Sequence, residues 1–478
     1  MSSETFDTII IGSGAGGAAA AYHLTLAGQR VLLLEKGPRL ERSPRTLDPE
    51  LVVQQGHFKS AEAWQDGQGR RIVPEEYFNL GGKTKWYGAA LLRFADHEML
   101  GDAAFDCSPW PVSAHEFAPY YAQAERLLGV RQFPCEADLA RIIAGLSRRP
   151  GWNAQPLPMG LAAEIADDAQ EASHFDGFAS ARGLKADAEV ALLDRLRDRP
   201  NLTIATGQTV VDLIAANGDA RCVQGVRVAD GTVYRADHVL LAAGALHSPR
   251  LLAHYLDTNG LANLPARAQV GRNLKLHLLT AMLALSTSRK HDRLRKTMVL
   301  LNDTLPHSSV QPLGFDSDLL ASLVPKPVPR VLARLIGTHA YGFFLQTEDG
   351  SHPDNRVASA TDGTPILDYD PRRSPVALRE HERLIHCLRR DLLRAGHVSF
   401  VQRIGVTGTA HACGTLRAGD DASSSVVDAE GRVHGLRGLW VVDGSVLPRS
   451  SRVNPSLSIF AWALRVAARL LEQRRLAA

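Results

Sequence analysis

The pattern of apolar and polar positions near the start of the chain predicts a strand, a tight turn and a helix in succession. An apolar run at 6–11 leads into a glycine-rich turn at 12–17, and an alanine-rich stretch follows as far as Ala27. A second apolar run at 31–34 ends in Glu35. Short apolar runs bounded by glycine are typical of buried strands, and alanine favours a helix. This order of elements predicts the first strand, helix and strand of a dinucleotide-binding fold.

The glycines of this turn have the spacing G-x-G-x-x-G. In that spacing Gly12 permits the turn, Gly14 lets a pyrophosphate approach the backbone, and Gly17 lets the helix pack close to the strand. Free amides at the start of the helix, from Ala15 onward, favour phosphate binding. Glu35, roughly 20 residues further on, suits a pair of ribose hydroxyl groups and disfavours a 2′-phosphate. The alternative is a packing turn with no ligand.

Further apolar runs predict the later elements of the chain. Runs separated by Asn-Gly and Asp-Gly turns predict short strands at 202–206, 210–214, 224–228 and 232–234. A buried strand at 238–241 leads into the small residues Ala243 and Gly244, which permit close approach of a nucleotide. Two more strands are expected at 278–282 and 340–345, and a C-terminal helix at 456–471.

Composition and charge narrow the class of protein. A chain of 478 residues is too long for one ordinary core and suits two joined domains. With 22% charged and 45% hydrophobic residues, the composition is that of a soluble globular protein. The net charge of +3 is small, so nothing in it indicates nucleic-acid binding. Without C-x-x-C pairing, the five cysteines argue against both a zinc site and a disulfide framework.

The N-terminal residues enter the first strand without a basic and apolar leader, and no run of about 18 apolar residues follows elsewhere. We therefore expect a cytoplasmic enzyme. The segment 288–296 is rich in Arg, Lys and His, and 323–337 mixes Pro, Arg and apolar residues. Both stretches, within 288–337, are compatible with a mobile lid, a membrane-touching surface or, more ordinarily, solvated loops.

Candidate chemistry lies near the C-terminus, at His411 in a Gly-rich turn and Asn454 in an Asn-Pro turn. A histidine of near-neutral pKa can accept a hydroxyl proton, and an asparagine amide can fix the orientation of the same oxygen. The alternative is a histidine that caps a turn and an ordinary turn signal. Arg449 and Arg452 flank the Asn454 turn, either to bind an anionic substrate group or as a surface pair.

Four blocks together resemble the glucose-methanol-choline (GMC) oxidoreductase family: 7–37, 80–93, 239–252 with 270–273, and 411 to the C-terminal helix. The resemblance implies an α/β fold, an FAD-binding Rossmann-like domain of GMC type with an intertwined α+β substrate domain built on an antiparallel sheet. The strands at 202–234 resemble the antiparallel meander of FAD-binding folds. The implied FAD-binding domain is discontinuous, at 1–100, 195–275 and 402–478, and the substrate domain comprises 101–194 and 276–401.

The same resemblance implies bound FAD and its contacts. The turn at 80–89 is similar to the family turn over the flavin, where some members attach FAD covalently through a histidine. Trp86 stands near that position, which implies non-covalent FAD, and Tyr87 stands where many relatives have asparagine. The expected contacts are Gly12, Gly14, Ala15, Gly17, Glu35, Gly81, Gly82, Thr84, Tyr87, Gly88, Val210, Ala243, Gly244, Asp443, Gly444, Pro455 and Ser456.

By this resemblance the activity is oxidation of a CH–OH group of a small-molecule alcohol to a carbonyl. His411 is the family's first active-site histidine and Asn454 occupies the second position. Electrons would pass to oxygen, a quinone or a redox protein, and no metal is expected. A hydroxynitrile-lyase-like enzyme and a non-catalytic flavin-binding subunit are the alternatives. An NAD-dependent dehydrogenase would need a second nucleotide crevice, for which the sequence has no further G-x-G-x-x-G in a strand-helix context.

Overall fold

A computed structural model of the chain describes residues 5–316, Leu319 and 329–477. Its strands, in chain order, are β1 Thr5–Ile11, β2 Val31–Glu35, β3 Trp64–Asp66, β4 Arg71–Ile72, β5 Trp152–Pro156, β6 Leu202–Thr206, β7 Val210–Ala216, β8 Asp219–Val228, β9 Val233–Leu241, β10 Leu278–Leu285, β11 Met298–Asn302, β12 Ser308–Pro312, β13 Ala340–Thr347, β14 Arg356–Ser359, β15 Pro365–Asp368, β16 Val398–Arg403 and β17 Leu439–Val441. Its α-helices are α1 Ala15–Leu26, α2 Ala114–Leu127, α3 Ala137–Ser147, α4 Ala169–Ser173, α5 Ala188–Ala191, α6 Gly244–Thr258, α7 Arg330–Thr338, α8 Pro375–Arg394 and α9 Ser456–Ala477.

The first sheet has seven strands. Its parallel part runs in the order β6, β2, β1, β9 and β17, so that Ile9 lies between Leu32 and Val239. β8 and β7 continue from the first half of β9 as antiparallel strands. Helices α1 and α9 pack against each other beside this sheet. The apolar strands are buried because the parallel part is covered by helices, which explains why β1 and β2 contain continuous hydrophobic runs.

Two sequence expectations for this sheet were wrong in detail. The strand at 202–206 was expected in the antiparallel meander, but β6 pairs with β2 in parallel, with Leu33 opposite Ile204. The strands expected at 232–234 and 238–241 are one continuous strand, β9. The polar residues between them do not end the strand, because its first half pairs with β8 and β1 at a partly exposed end of the sheet.

The second sheet is antiparallel, with the order β16, β10, β13, β12, β11 and β5. It confirms the strands predicted at 278–282 and 340–345, which are β10 and β13. Their apolar side chains form a core with α3 and α8, in which Met282 and Phe343 pack with Ile142 and Leu388. A parallel sheet and a separate antiparallel sheet confirm the predicted α/β class with an intertwined α+β part.

A small third sheet, in the order β14, β15, β3 and β4, joins distant parts of the chain. Helix α2 also crosses the expected division: Phe117 and Tyr121 belong to the core of the seven-stranded sheet, and the Tyr121 hydroxyl lies 2.6 Å from Ser458 Oγ. The exact boundaries of the two domains therefore stay a proposal. Among the described residues, no helix has the length and apolarity needed to cross a membrane.

The charged segment 288–296 is only partly solvated, with Ser288, Arg289, His291 and Arg293 exposed. Lys290, Arg295 and Lys296 are buried, and Arg295 Nη1 donates to the carbonyl of Phe315 at 2.7 Å. Of the stretch 323–337, residues 323–328 lie outside the described part of the chain. The helix α7 that follows exposes Val331, Leu332 and Leu335.

Candidate active site

A cavity of about 1370 Å³ receives residues from both large sheets, among them Glu35 at the end of β2 and Phe344 of β13. Most of the site residues predicted from sequence line it. They are Gly12, Gly14, Ala15, Glu35, Gly82, Thr84, Tyr87, Gly88, Val210, Ala243, Gly244, His411, Asp443, Gly444, Asn454, Pro455 and Ser456. Gly17 and Gly81 do not line the cavity. The structure thus brings together residues that the sequence separates by up to several hundred positions.

The glycines of the first turn play different parts. At Gly12 the backbone is left-handed, with φ +100°, and a Cβ there would overlap with the carbonyl of Ala242. At Gly17 a Cβ would overlap with the carbonyl of Gly12, so this glycine lets α1 pack against the turn. At Gly14, by contrast, a Cβ would have nothing within 4 Å, because this position opens into the cavity.

Helix α1 points its N-terminus into the cavity. Gly14 is its N-cap, Ala15 its first residue, and its first turn contains no acidic side chain. The positive end of the helix is therefore not neutralised by the protein, an arrangement that favours an anionic group. Together with the open backbone at Gly14 and the size of the cavity, these features fit the pyrophosphate of a dinucleotide. Helix α9 also starts at the cavity, at Ser456, as the sequence predicted.

Glu35 connects the two glycine-rich turns. Its Oε2 accepts hydrogen bonds from the amide of Ser13 at 3.1 Å and from the Ser13 hydroxyl, and its Oε1 accepts from the amide of Gly37 at 2.9 Å. The amide of Gly81 donates in turn to Ser13 Oγ at 2.9 Å. Gly81 therefore acts on the turn and not on the cavity surface. Burial raises the pKa of Glu35, although these hydrogen bonds oppose the shift.

The second turn contains a short 3₁₀ helix at Gly82–Lys85, fixed by Thr84, whose hydroxyl donates to the Gly81 carbonyl at 2.6 Å. Trp86 stacks on Tyr77 with ring centroids 4.8 Å apart, and its indole donates to Asn79 Oδ1 at 2.9 Å. The Tyr87 hydroxyl donates to the Ala186 carbonyl at 2.6 Å. Tyr87 therefore presents its ring to the cavity while its polar group bonds to the protein.

Asp443 fixes the turn that follows β17. Its carboxylate accepts hydrogen bonds from the amide of Gly244 at 2.8 Å, from the Ser248 hydroxyl and from the amide of Ser445 at 2.9 Å. Burial raises the pKa of Asp443, and these donors oppose the shift. The side chain links the start of α6 to the residues after β17, and both segments contribute to the cavity wall.

His411 and Asn454 lie side by side in the cavity wall. The Asn454 amide nitrogen is 3.3 Å from His411 Nε2, and Asn454 Oδ1 accepts a hydrogen bond from Gln311 Nε2 at 2.6 Å. Because Gln311 occupies the amide oxygen, the amide N–H groups of Asn454 are the ones turned toward His411. The pair therefore presents one nitrogen that can accept a proton and one amide that can donate a hydrogen bond.

Behind His411, a second histidine completes the arrangement. His277 Nδ1 lies 3.1 Å from His411 Nδ1, and His277 Nε2 lies 2.8 Å from the carbonyl oxygen of Ser451. Sequence analysis missed His277 and Gln311, which are far from His411 and Asn454 along the chain. Neither residue has a local signal, because a lone histidine just before a strand, or a lone glutamine within one, is more often part of the core.

Electrostatics at His411 favour the neutral imidazole. Burial lowers the pKa of His411 well below its ordinary value of 6.5, and the neighbouring His277 and the ammonium groups of Lys296 and Lys83 lower it further. Lys296 lines the same cavity and pairs with Asp176 Oδ2 at 2.9 Å. A neutral histidine at physiological pH is able to act as a base.

The two arginines flanking the Asn454 turn do not reach the cavity. Arg449 is 1% exposed and binds Glu348 through two nitrogens, with Nε 2.9 Å from Oε1. Arg452 is partly exposed, and its Nη1 donates to the carbonyl of Pro306 at 3.3 Å. Arg449 therefore belongs to a buried ion pair, which is neither the anion site nor the surface pair considered from sequence.

Comparisons with known proteins agree with this geometry. Residues 50–279 and 353–463 match the N- and C-terminal sequence models described as GMC oxidoreductase, and residues 10–52 match an NAD(P)-binding Rossmann-like domain. The chain is 30% identical to paromamine 6′-oxidase of Streptomyces fradiae, with 97% of this chain and 91% of that protein covered. It is 25% identical to 5-(hydroxymethyl)furfural oxidase of Methylovorus sp. (strain MP688), with 99% and 100% covered.

Among solved structures, the fold is similar to that of pyridoxine 4-oxidase from Mesorbium loti. The TM-score is 0.67 at 20% sequence identity, and the match covers 98% of this chain and 99% of that one. The family matches span most of the chain, and the alignment with paromamine 6′-oxidase covers nearly the full length of both proteins. The protein therefore belongs to the GMC oxidoreductase family, whose members are FAD-dependent.

Proposed function

We propose that this protein oxidises the CH–OH group of a small-molecule alcohol to a carbonyl, with FAD as its non-covalent cofactor and His411 as the base. One observation supports the proposal above the others. His411 Nε2 and the Asn454 amide lie 3.3 Å apart in the wall of the same cavity into which Gly14 and the N-terminus of α1 open. The proton acceptor and the proposed dinucleotide-binding residues therefore line the same cavity.

In this proposal the predicted cofactor residues that line the cavity hold FAD. The start of α1 would bind the pyrophosphate, Glu35 would accept hydrogen bonds from the ribose hydroxyl groups, and the start of α9 would contribute to the flavin-binding part of the cavity. When bound, FAD supplies the acceptor for a hydride. Gly17 and Gly81 contribute by packing and by hydrogen bonding within the turns, because neither lines the cavity.

The side chains have separate roles toward the substrate. His411 takes the hydroxyl proton, because an alkoxide releases hydride far more readily than an alcohol does. Since its pKa is lowered by burial, His411 is neutral and ready to accept that proton at neutral pH. Asn454 donates a hydrogen bond to the substrate oxygen and so orients it and stabilises its developing negative charge. Gln311 maintains this orientation by donating to Asn454 Oδ1.

The experiment is to follow the visible spectrum of the flavin anaerobically in the purified protein, against a panel of alcohols. The panel includes an amino sugar and a hydroxymethylfuran, because relatives are named paromamine 6′-oxidase and 5-(hydroxymethyl)furfural oxidase. We expect bleaching by some alcohols. His411→Ala should slow it about 10²- to 10⁴-fold, the usual contribution of a general base. Asn454→Ala should slow it less.

The matched control is His434→Ala, a half-buried histidine outside the cavity lining, which should bleach at the wild-type rate. A yellow protein that no alcohol bleaches, but that cleaves hydroxynitriles, would replace this proposal with a lyase. A protein that does not bind FAD would overturn it. Admitting oxygen or a quinone to the bleached protein then identifies the electron acceptor by the rate of reoxidation.

Covalent attachment is tested separately. Trp86 bonds to Asn79 and stacks on Tyr77, and it offers no nucleophilic nitrogen or sulfur for a flavin linkage. We expect acid precipitation to release all the flavin into the supernatant. Flavin that stays with the precipitated protein would contradict non-covalent binding without affecting the proposed reaction.

A further inference from the structure

We infer that His277 is a positioning residue that sets the tautomer of His411, so that the Nε2 atom facing the cavity has a free lone pair. The inference rests on the proposed function in so far as it assigns His411 the role of base. It depends on a chain of contacts from the Ser451 carbonyl through His277 to His411. The groups at the two ends of this chain, the Ser451 carbonyl and the Asn454 amide, set the direction of its hydrogen bonds.

The chain starts at the Ser451 carbonyl, which can only accept. It lies 2.8 Å from His277 Nε2, so this nitrogen carries a proton. The Gln346 amide nitrogen is also near His277 Nε2, but at 3.5 Å it is at the limit of hydrogen bonding, and the shorter contact decides the direction. His277 Nδ1 is then the acceptor, because a second proton there would force the proton of His411 onto Nε2, against the N–H groups of Asn454.

His411 must then supply the proton of the next link. Its Nδ1 lies 3.1 Å from the lone pair of His277 Nδ1, so the Nδ1 atom of His411 is the donor. The remaining ring nitrogen, His411 Nε2, is left unprotonated. This nitrogen is the one that faces the Asn454 amide at 3.3 Å.

The opposite assignment fails at both ends. It would place the lone pair of His277 Nε2 against the lone pairs of the Ser451 carbonyl, which is buried and would lose its partner. It would also place an N–H group of His411 against the N–H groups of Asn454, because Gln311 already donates to the amide oxygen of Asn454. With the Gln311 and Asn454 amides oriented as they are in the structure, the two ends of the chain favour the same tautomer.

The backbone around these groups is held in unusual conformations. His277 has φ +64° and Ser451 has φ +68°, a left-handed region that non-glycine residues rarely adopt. Asp349 fixes both segments: its Oδ2 accepts from the amides of Leu276 at 2.6 Å and His277 at 3.2 Å, and its Oδ1 accepts from the Ser450 hydroxyl at 2.8 Å. One buried carboxylate thus holds the segment of His277 and the segment that carries the accepting Ser451 carbonyl in register.

The first test needs no turnover. In protein labelled with ¹⁵N-histidine, long-range proton–nitrogen spectra at neutral pH distinguish protonated from unprotonated ring nitrogens, and the His411→Gln variant assigns the His411 signals. We expect Nδ1 of His411 to be protonated and Nε2 to be unprotonated. The reverse pattern would overturn the inference, whatever the activity of the protein.

The second test compares His277→Leu with His277→Gln, which keeps one donor and one acceptor. With an alcohol that bleaches the flavin, His277→Leu should slow flavin reduction about 100-fold. This value lies between the effect of losing an orienting hydrogen-bond partner and the larger effect of a wrong histidine tautomer. His277→Gln should recover part of the rate. In His277→Leu the Nδ1 proton of His411 loses its acceptor, so the fraction of His411 protonated at Nε2 should rise above that of wild type, which a merely structural role would not cause.

His381→Gln is the matched control, since His381 is equally buried but bonds to Thr280 and Thr347 and does not line the cavity. It should reduce at the wild-type rate. A His277→Leu protein that binds FAD and reduces as fast as wild type would overturn the inference. If no alcohol reduces the flavin while the wild-type spectra show the expected tautomer, the proposed function fails and the tautomer assignment stands.

Discussion

Gly14 is the N-cap of α1 and Gly16 its second residue, yet a methyl group would meet open space at Gly14 and would overlap with the carbonyl oxygen of Val442 at Gly16. Gly14 also has ordinary backbone angles, φ −65° and ψ −165°, which alanine adopts without strain. Both positions line the cavity, but only at Gly14 would an added methyl group have free space, so alanine there is expected to affect cofactor binding and alanine at Gly16 to affect folding.

We predict that Gly14→Ala keeps the fold and loses flavin. Its Cβ projects into the cavity where the pyrophosphate is proposed, so FAD affinity should fall at least about tenfold, while an N-cap change from glycine costs less than about 1 kcal/mol. Gly16→Ala should instead destabilise the protein by about 3 kcal/mol through overpacking. FAD titration and urea unfolding of both variants check this. Equal behaviour of the two variants would contradict the prediction.

The contrast between local and distant signals explains what the sequence could predict. The turn at 12–17 was predictable because its strand, glycines and helix are consecutive, and each glycine has a steric reason that can be read from spacing. The contact between His277 and His411 joins positions 134 residues apart, and no local pattern in the sequence predicts it. Such a contact depends on how the two sheets pack against each other, and the alternation of polar and apolar positions along the chain does not specify that packing.

The incorrect predictions for the segment 288–296 and for Arg449 have a related cause. Charged residues at 288–296 looked solvated, but Arg295 bonds to carbonyls of distant segments and is buried. The sequence around Arg449 predicts a surface or substrate-binding residue, because its partner Glu348 lies 101 positions away. A charged side chain is buried only where it has such a partner, so composition alone predicts that charged residues are exposed.

The pH dependence of flavin reduction follows from His411. Because burial lowers its pKa well below 6.5, its base form persists as the pH falls through 6.5, and the reduction rate should decline only at lower pH, where His411 becomes protonated. Lys296→Met removes one of the positive charges that lower this pKa and leaves the carboxylate of Asp176 unpaired. Both changes favour the protonated form, so the decline should move to higher pH.

Anaerobic stopped-flow reduction across a pH series measures this shift. The matched control is Lys59→Met, another cavity-lining lysine, which pairs with Glu75 and does not contribute to the pKa of His411. Its profile should coincide with that of the wild type. A decline in Lys296→Met at the same pH as wild type would show that the charge of Lys296 does not reach His411.

The ion pair of Glu348 and Arg449 should be important for stability. Both side chains are buried, and the arginine and a hydrogen bond from His307 lower the pKa of Glu348 to about 2, even though burial opposes this. Glu348→Gln leaves the guanidinium buried without its counter-charge, which typically costs 3–5 kcal/mol. We expect the free energy of unfolding in urea to fall by about that amount.

An exposed pair provides the comparison. Arg403 lies 3.4 Å from Glu382, with the two side chains 59% and 51% exposed. Glu382→Gln should change the free energy of unfolding by less than about 1 kcal/mol, because water screens the pair. Similar losses in the two variants would mean that the buried pair is no stronger than a surface contact.

The acid sensitivity of the fold should depend in part on His381. Burial lowers its pKa from 6.5 to about 3, and its ring bonds to the hydroxyl groups of Thr280 and Thr347. The unfolded chain binds a proton near pH 6.5 and the folded protein does not, so the stability that this group contributes is complete above 6.5 and falls by about 1.4 kcal/mol per pH unit below it. Between pH 6.5 and 5.0 this amounts to about 2 kcal/mol.

His381→Gln removes the titrating group while keeping an amide that can bond to a threonine. Its free energy of unfolding in urea, measured at pH 7.5 and 5.0, should therefore change less between the two values than that of wild type, by about 2 kcal/mol. The same substitution at His115, an exposed position on α2, should leave the wild-type difference unchanged, because that ring is in water in both states. Equal pH differences in His381→Gln and wild type would require that His381 takes up its proton without unfolding, through a rearrangement of the threonine hydroxyl groups around it.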